Sequence, residues 1–317
     1  MAAVCFNLPI PVVDVTAGRT RCEDLRLPPR PTETTDLLTR SVLKAYAVMF
    51  LAGRMAELRM HGHDLDAAED NHLDVVRARE IVGWILPDNP PLLSGVMRGE
   101  LTITTTDFLD IWDRSISAVV ATALRNGSVS PDQTRDILAP AIGHSRRLAA
   151  YHEAGHAVML WLEGDGQVPL SIGLGQTPAE SSQNFTVLRR FSEQFYLAPL
   201  AVHPEDRELA LRELQHVVAG EEMAGLIDAS YPGAVRARDD RQKARELARK
   251  LDDAAGGQSP ETIAARARAS VRQRFQEPRP RSLVDALVAA LLDKSPLGED
   301  EIRHVLSAAE GAIQERR

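Results

Sequence analysis

Cysteine is nearly absent from this sequence. Cys5 and Cys22 are the only two among 317 residues, both close to the start, and they form no CxxC pair. A disulfide scaffold and a thiolate metal cluster are thereby excluded. The pair reads as two free thiols in a reducing compartment, with a single Cys5–Cys22 bridge as the alternative. Aromatic residues are equally scarce, at 4%, too few for the stacking platforms that hold single-stranded nucleic acid. A basic surplus is missing too: 37 Lys and Arg face 45 Asp and Glu, for a net charge of -8. A nucleic-acid partner is therefore not expected. No apolar run is long enough to cross a bilayer. The best candidate, Val42 to Leu51, is short, and Arg54 and Glu57 follow it at once, as in a buried amphipathic helix. The first residues show no basic segment leading into an apolar one, so no signal peptide is expected. These absences together predict a soluble, cytoplasmic protein with no membrane partner. There is also no GxxxxGK[ST] loop, hence no evident nucleotide site.

What is present is a chain long enough to bury a substantial core, with helix signals through most of its length. Val4 to Val13 is strand-like, and its prolines suggest an edge strand or an extended arm. Pro28-Pro29-Arg30-Pro31 reads as a linker. Helical patterns follow from Asp36 to Leu58, from Asp64 to Leu86, and from Phe108 to Arg125, the last stopped at Asn126-Gly127. Ser130-Pro131 opens a further short helix. After Pro140, Ser145 to Leu162 forms the next helix, stopped by Gly164-Asp165-Gly166. Leu170 to Leu174 and Phe185 to Arg190 read as two short strands around a polar loop. Further helices are expected over Pro204 to Asp228, Arg238 to Ala255, after the cap Ser259, over Ser282 to Leu292, and over Glu299 to Gln314. The predicted class is mainly α with a small β-sheet. Two domains are expected, residues 1–140 as an N-terminal helical domain and 145–317 as the second.

A weak internal repeat underlies that division. Phe50-Leu51-Ala52-Gly53-Arg54-Met55-Ala56-Glu57 precedes Asp74 by nearly the interval at which Val217-Val218-Ala219-Gly220-Glu221-Glu222-Met223-Ala224 precedes Asp240. The bland alternative is chance similarity between Ala/Arg/Glu-rich helices.

The chemistry concentrates in His152-Glu153-Ala154-Gly155-His156. The histidines stand one helical turn apart, so both imidazoles leave the same face and can reach one metal ion. Glu153 lies beside them, where its carboxylate can take a proton from water that zinc has made more acidic. Ala154, Gly155 and Ala157 allow a close-packed back face. A catalytic zinc needs a third protein ligand. Asp240, at the start of a later helix, is the leading candidate. Asp239 beside it reads as an acidic first turn that complements the helix dipole. His61, His63, His72, His216 and His304 read as solvated or packing residues. Arg279-Pro280-Arg281 reads as a linker. Ser171 to Phe185 reads as a plain loop, or as an edge strand and lid on which an extended peptide could dock.

Ala150-Tyr151-His152-Glu153-Ala154-Gly155-His156-Ala157-Val158 resembles the zinc helix of peptidase family M41, the protease domain of the FtsH-type ATP-dependent zinc metalloproteases. Asp240, Ala244, Leu247 and Ala248 also fit that family's aspartate-bearing helix. The resemblance covers roughly Ser145 to the C-terminus. It implies an M41 zincin-like helical protease domain preceded by a helical partial repeat, with Zn2+ held by His152, His156 and Asp240 and with Glu153 as general base. The chain departs from the family in two ways. Its ATPase module has no counterpart here, so substrates would be peptides or unfolded protein segments, unless a separate ATPase partner supplies unfolding. The family's Gly-Gly-Arg-x-Ala-Glu stretch is better matched at Ala52 to Glu57 than around Gly220, which makes Asp74 a rival third ligand. A ring-shaped homo-oligomer is a further implication, although in that family the missing module helps to hold the ring. Three functional readings follow: a zinc-dependent metallopeptidase, a catalytically inactive pseudo-protease that binds peptides or a partner, and a helix with a purely structural metal.

Overall fold

The computed structural model describes residues 12–14, 19–21, 43, 45–50, 73–85, 111, 114–163, 166–175, 185–187, 204–229, 231, 238–255 and 259–315. Cys5, Cys22, His61, His63, His72 and the proline-rich 28–31 segment lie outside them. Helices dominate, accompanied by two small antiparallel sheets, so the class expected from the sequence is the one found. The chain divides into two compact units, residues 1–143 with 177–180, and residues 144–176 with 181–317.

In the first unit, strands β1 (Val12–Asp14), β2 (Arg19–Arg21) and β3 (Ser128–Val129) form a sheet in the order β2-β1-β3. Strand β1 is therefore central; of the stretch Val4 to Val13, expected as an edge strand or an extended arm, only Val12 and Val13 lie among the described residues. Helix α1 spans Leu73–Ile85, and helical backbone also covers 45–50 and 114–126. The last stretch stops at Gly127, whose φ of 74° suits a residue without Cβ.

Helix α2, Pro131–Glu163, carries the HExxH motif. Its start is a reciprocal capping box. Ser130 Oγ accepts from the Gln133 amide at 3.2 Å, and Gln133 Oε1 accepts from the Ser130 amide at 3.0 Å. The sequence pointed to two helices separated at Pro140, but the helix runs unbroken through that residue. Proline removes one backbone donor and crowds the preceding turn, at a cost of about 3 kcal/mol. Buried Leu138 and Ala141 on either side of it, and Leu148 and Ala149 beyond, supply the packing that outweighs this. The helix ends near Gly166, whose φ is 81° and whose amide bonds the Trp161 carbonyl.

The second unit continues with β4 (Ser171–Gly173), β5 (Phe185–Val187), α3 (Pro204–Ile227), α4 (Arg238–Ala255), α5 (Pro260–Gln276), α6 (Pro278–Asp293), β6 (Leu297–Gly298) and α7 (Glu299–Gln314). Helices α3, α4 and α5 pack on one another, and α6 packs against both α5 and α7. Helix α4 shows why: Ala244, Leu247, Ala248 and Leu251 are buried, the i, i+3, i+4, i+7 stripe of a surface helix. Each buried leucine contributes about 2 kcal/mol. Ser259 caps α5 through its side chain, with Pro260 at the first helical position. Arg279-Pro280-Arg281 is no linker. It forms the first turn of α6, with Pro280 buried, a position where proline costs no hydrogen bond.

The second sheet has the order β5-β4-β6. Strand β4 is thus the centre strand and β5 an edge, which corrects the reading of Ser171 to Phe185 as an edge. The covering strand, β6, is two residues long and comes from more than a hundred positions downstream, too short to announce itself in the sequence.

Candidate metal centre

Helix α2 presents His152 and His156 on one face, and α4 brings Asp240 to them from its first turn. The two Nε2 atoms lie 3.2 Å apart. Asp240 Oδ2 lies 3.1 Å from His152 Nε2 and 3.3 Å from His156 Nε2. Both histidines are buried, while the Asp240 side chain keeps 22% of its exposure, so the cluster opens on the Asp240 side. Three acceptor atoms gathered this closely repel one another unless a hydrogen or a cation between them supplies the attraction. A proton on one ring or a metal cation can supply it. These buried side chains form a group able to hold a metal ion. Among the described residues the group has three members, the number that leaves a coordination position open.

The electrostatics agree with that geometry. Burial by itself would lower the His156 pKa, but the Asp240 carboxylate, reinforced by Glu153 and the His216 carbonyl, raises it to about 9. Burial would raise Asp240, yet the two histidines outweigh it and hold the carboxyl well below its ordinary value. The Asp240 carboxylate thus favours a proton on His156 when no cation is bound.

Supporting residues come chiefly from α3. His156 Nδ1–H donates to the backbone carbonyl of His216 at 2.8 Å. That bond fixes the tautomer and turns Nε2 toward the cluster. His152 is held differently: its Nδ1 is buried without a hydrogen-bond partner among the described residues, and its ring meets His156 edge-on at 4.8 Å. Gly220, one turn beyond His216, makes the closest approach. A Cβ there would lie 2.4 Å from His156 Nε2 and 2.8 Å from His152 Nε2, inside the space an ion needs. Gly155 does the same on the back of α2, where a Cβ would meet the Ala219 carbonyl oxygen at 2.8 Å. The small residues of the motif do serve close packing.

The Glu221-Glu222 pair that follows Gly220 braces the site. Glu221 pairs with Arg241, the neighbour of Asp240, and with Arg268 at 2.8 Å. Glu222, also buried, pairs with Arg268 at 3.0 Å and Arg272 at 2.9 Å. Burial pushes the Glu221 carboxyl up, but the two guanidiniums hold it below its ordinary value. The network ties the head of α4 to α3 and α5.

Glu153 is buried beside the cluster, and its Oε2 accepts from Thr186 Oγ1 on β5 at 2.6 Å. All four residues singled out from the motif and its downstream partner, His152, Glu153, His156 and Asp240, thus belong to one locality. Asp74 lies in the first turn of α1, in the first unit. Its side chain, like that of Asp239, is outside the described residues. His216 fills the packing role expected of it, buried with its ring 5.4 Å from that of His156, but its place beside the site, like those of Gly220 and Thr186, goes beyond the sequence reading. Burial, and then the charge on His156, lower its pKa to about 3. Its spacing with Gly220 and Met223, at i, i+4 and i+7, was the available signal. Gly220 was noted only as part of a departure from a family pattern, and Thr186 carried no local signal. Among the described residues no helix is long and apolar enough to cross a membrane. No protein-family model matches the chain, and no curated protein matches it significantly.

Proposed function

We propose that this protein is a zinc-dependent metallopeptidase of the M41 type, acting on peptides or unfolded protein segments. The observation that carries the proposal is a buried carboxylate, Glu153, kept beside a three-member donor group that leaves a position open. Two imidazoles and one carboxylate are donors suited to zinc, and a closed structural site would use four protein ligands. Bound at His152, His156 and Asp240, the ion would act as a Lewis acid toward a scissile carbonyl and make water more acidic. Glu153 is the general base. It takes the proton of the attacking water and returns it to the leaving amine. His216 keeps His156 in the tautomer that offers Nε2, and Asp240 stays ionised against the two rings. Lacking a nucleotide-binding loop, the chain would act on already extended substrates or rely on a separate ATPase partner.

The test is zinc content and casein hydrolysis for the wild type beside Glu153→Gln. One zinc in each protein, with cleavage by the wild type alone, supports a peptidase. Zinc without cleavage in either moves the assignment to a peptide-binding pseudo-protease. A wild type that takes up no metal removes the basis for both readings.

A further inference from the structure

We propose that Thr186 is a positioning residue for Glu153. Its hydroxyl fixes one carboxylate oxygen from the edge of the sheet and leaves the other to act as base. The inference deepens the peptidase reading and rests on it for its kinetic arm.

Register explains why this threonine reaches the metal helix. Thr186 stands directly opposite Ile172 in the antiparallel β5–β4 pair, so the two side chains share one face of the sheet. Ile172 is fully buried in the core that includes α2, which makes that face the inner one. The Oγ1 to Oε2 distance of 2.6 Å belongs to the short range of a hydroxyl donating to an ionised carboxylate. Glu153 is buried, so this hydroxyl does what solvent would otherwise do, and it does so from one direction. Threonine also suits the task because β-branching stiffens χ1, so the direction of the hydroxyl follows the direction of the strand. Among the described residues β5 pairs with β4 alone.

The experiment uses the full chain loaded with zinc. Thr186→Val keeps the shape and removes the hydroxyl. It should lower kcat on a quenched-fluorescence peptide about 10- to 100-fold, with KM and zinc content little changed, and Thr186→Ser should restore most of the loss. A second readout needs no activity. In a double-mutant cycle with Glu153→Gln, followed by urea denaturation of the metal-free chain, Thr186→Val should destabilise the wild type more than the glutamine variant, because only the former loses a charge-assisted bond. Unchanged kcat in Thr186→Val, or an additive cycle, overturns the proposal. If the wild type cleaves nothing, the peptidase reading falls and the cycle alone decides: coupling keeps Thr186 as the residue that holds Glu153, and additivity removes it.

Discussion

Gly220 shows how a residue without a side chain can keep room at a candidate metal centre. The space above its Cα is the space between the two Nε2 atoms, and a methyl group there would sit 2.4 Å from His156 Nε2. The imidazoles cannot simply swing away, since His156 is tied to the His216 carbonyl and both rings are buried. Gly220→Ala is therefore expected to weaken zinc binding by about 100-fold, the upper range for disturbing a metal site's surroundings. Helix content should be unchanged, because alanine suits a helix interior better than glycine. Zinc titration against a competing chelator, alongside circular dichroism, checks both halves. Retention of full affinity would mean that the donors do not converge on an ion at this point.

At the level of elements, the acidic pair after Gly220 joins α3 to α5 and to the head of α4, the turn that carries Asp240. Glu222 is buried and accepts from two arginines of α5. Glu221 reaches from α3 to Arg241 at the head of α4. Removing one partner of a buried ion pair leaves the others uncompensated, at about 3 to 5 kcal/mol. Glu222→Ala should cost about 3 kcal/mol, toward the low end of that range, because Arg272 is half exposed and can regain water. Urea denaturation measures it. A loss below about 1 kcal/mol, the value of a surface pair, would mean the network does not brace the helices. A pattern that looks eroded against the resembled family is, in the fold, a brace between α3, α4 and α5.

Across the whole molecule, a metal bound as proposed would compete with a proton for the same cluster, and stability should record that competition. The folded pKa of His156, about 9, lies above the ordinary histidine value of about 6.5. In the metal-free protein this proton's stabilising contribution is fully present below about pH 6.5 and is lost as the pH rises through about 9. A cation replaces the proton, so its own stabilising increment should grow over that same window. At about a thousand times its Kd, a metal that binds only the folded state adds about 4 kcal/mol. Melting curves with zinc and with a chelator should therefore separate, and by more at pH 8.5 than at pH 6.5. Curves that separate equally at both pH values would exclude proton displacement at His156.

The sequence alone determined the class, most helix positions among the described residues, and which histidines could offer a metal two neighbouring donors. Those properties rest on local patterns: the i, i+4 histidines, the apolar stripe of α4, and caps such as Ser130 and Ser259. The tertiary structure decided what depends on contacts between distant segments. It carried α2 through Pro140 because buried neighbours outweighed a lost hydrogen bond. It made β4 a centre strand by adding β6 from far downstream. It brought Asp240 to the two histidines across more than eighty residues, and it turned His216, Gly220 and Thr186 toward the site. The spacing of His216 and Gly220 marks one face of a helix but not what that face meets, and nothing local marks the approach of Asp240 or Thr186, since each is fixed by the packing of one helix or strand against another.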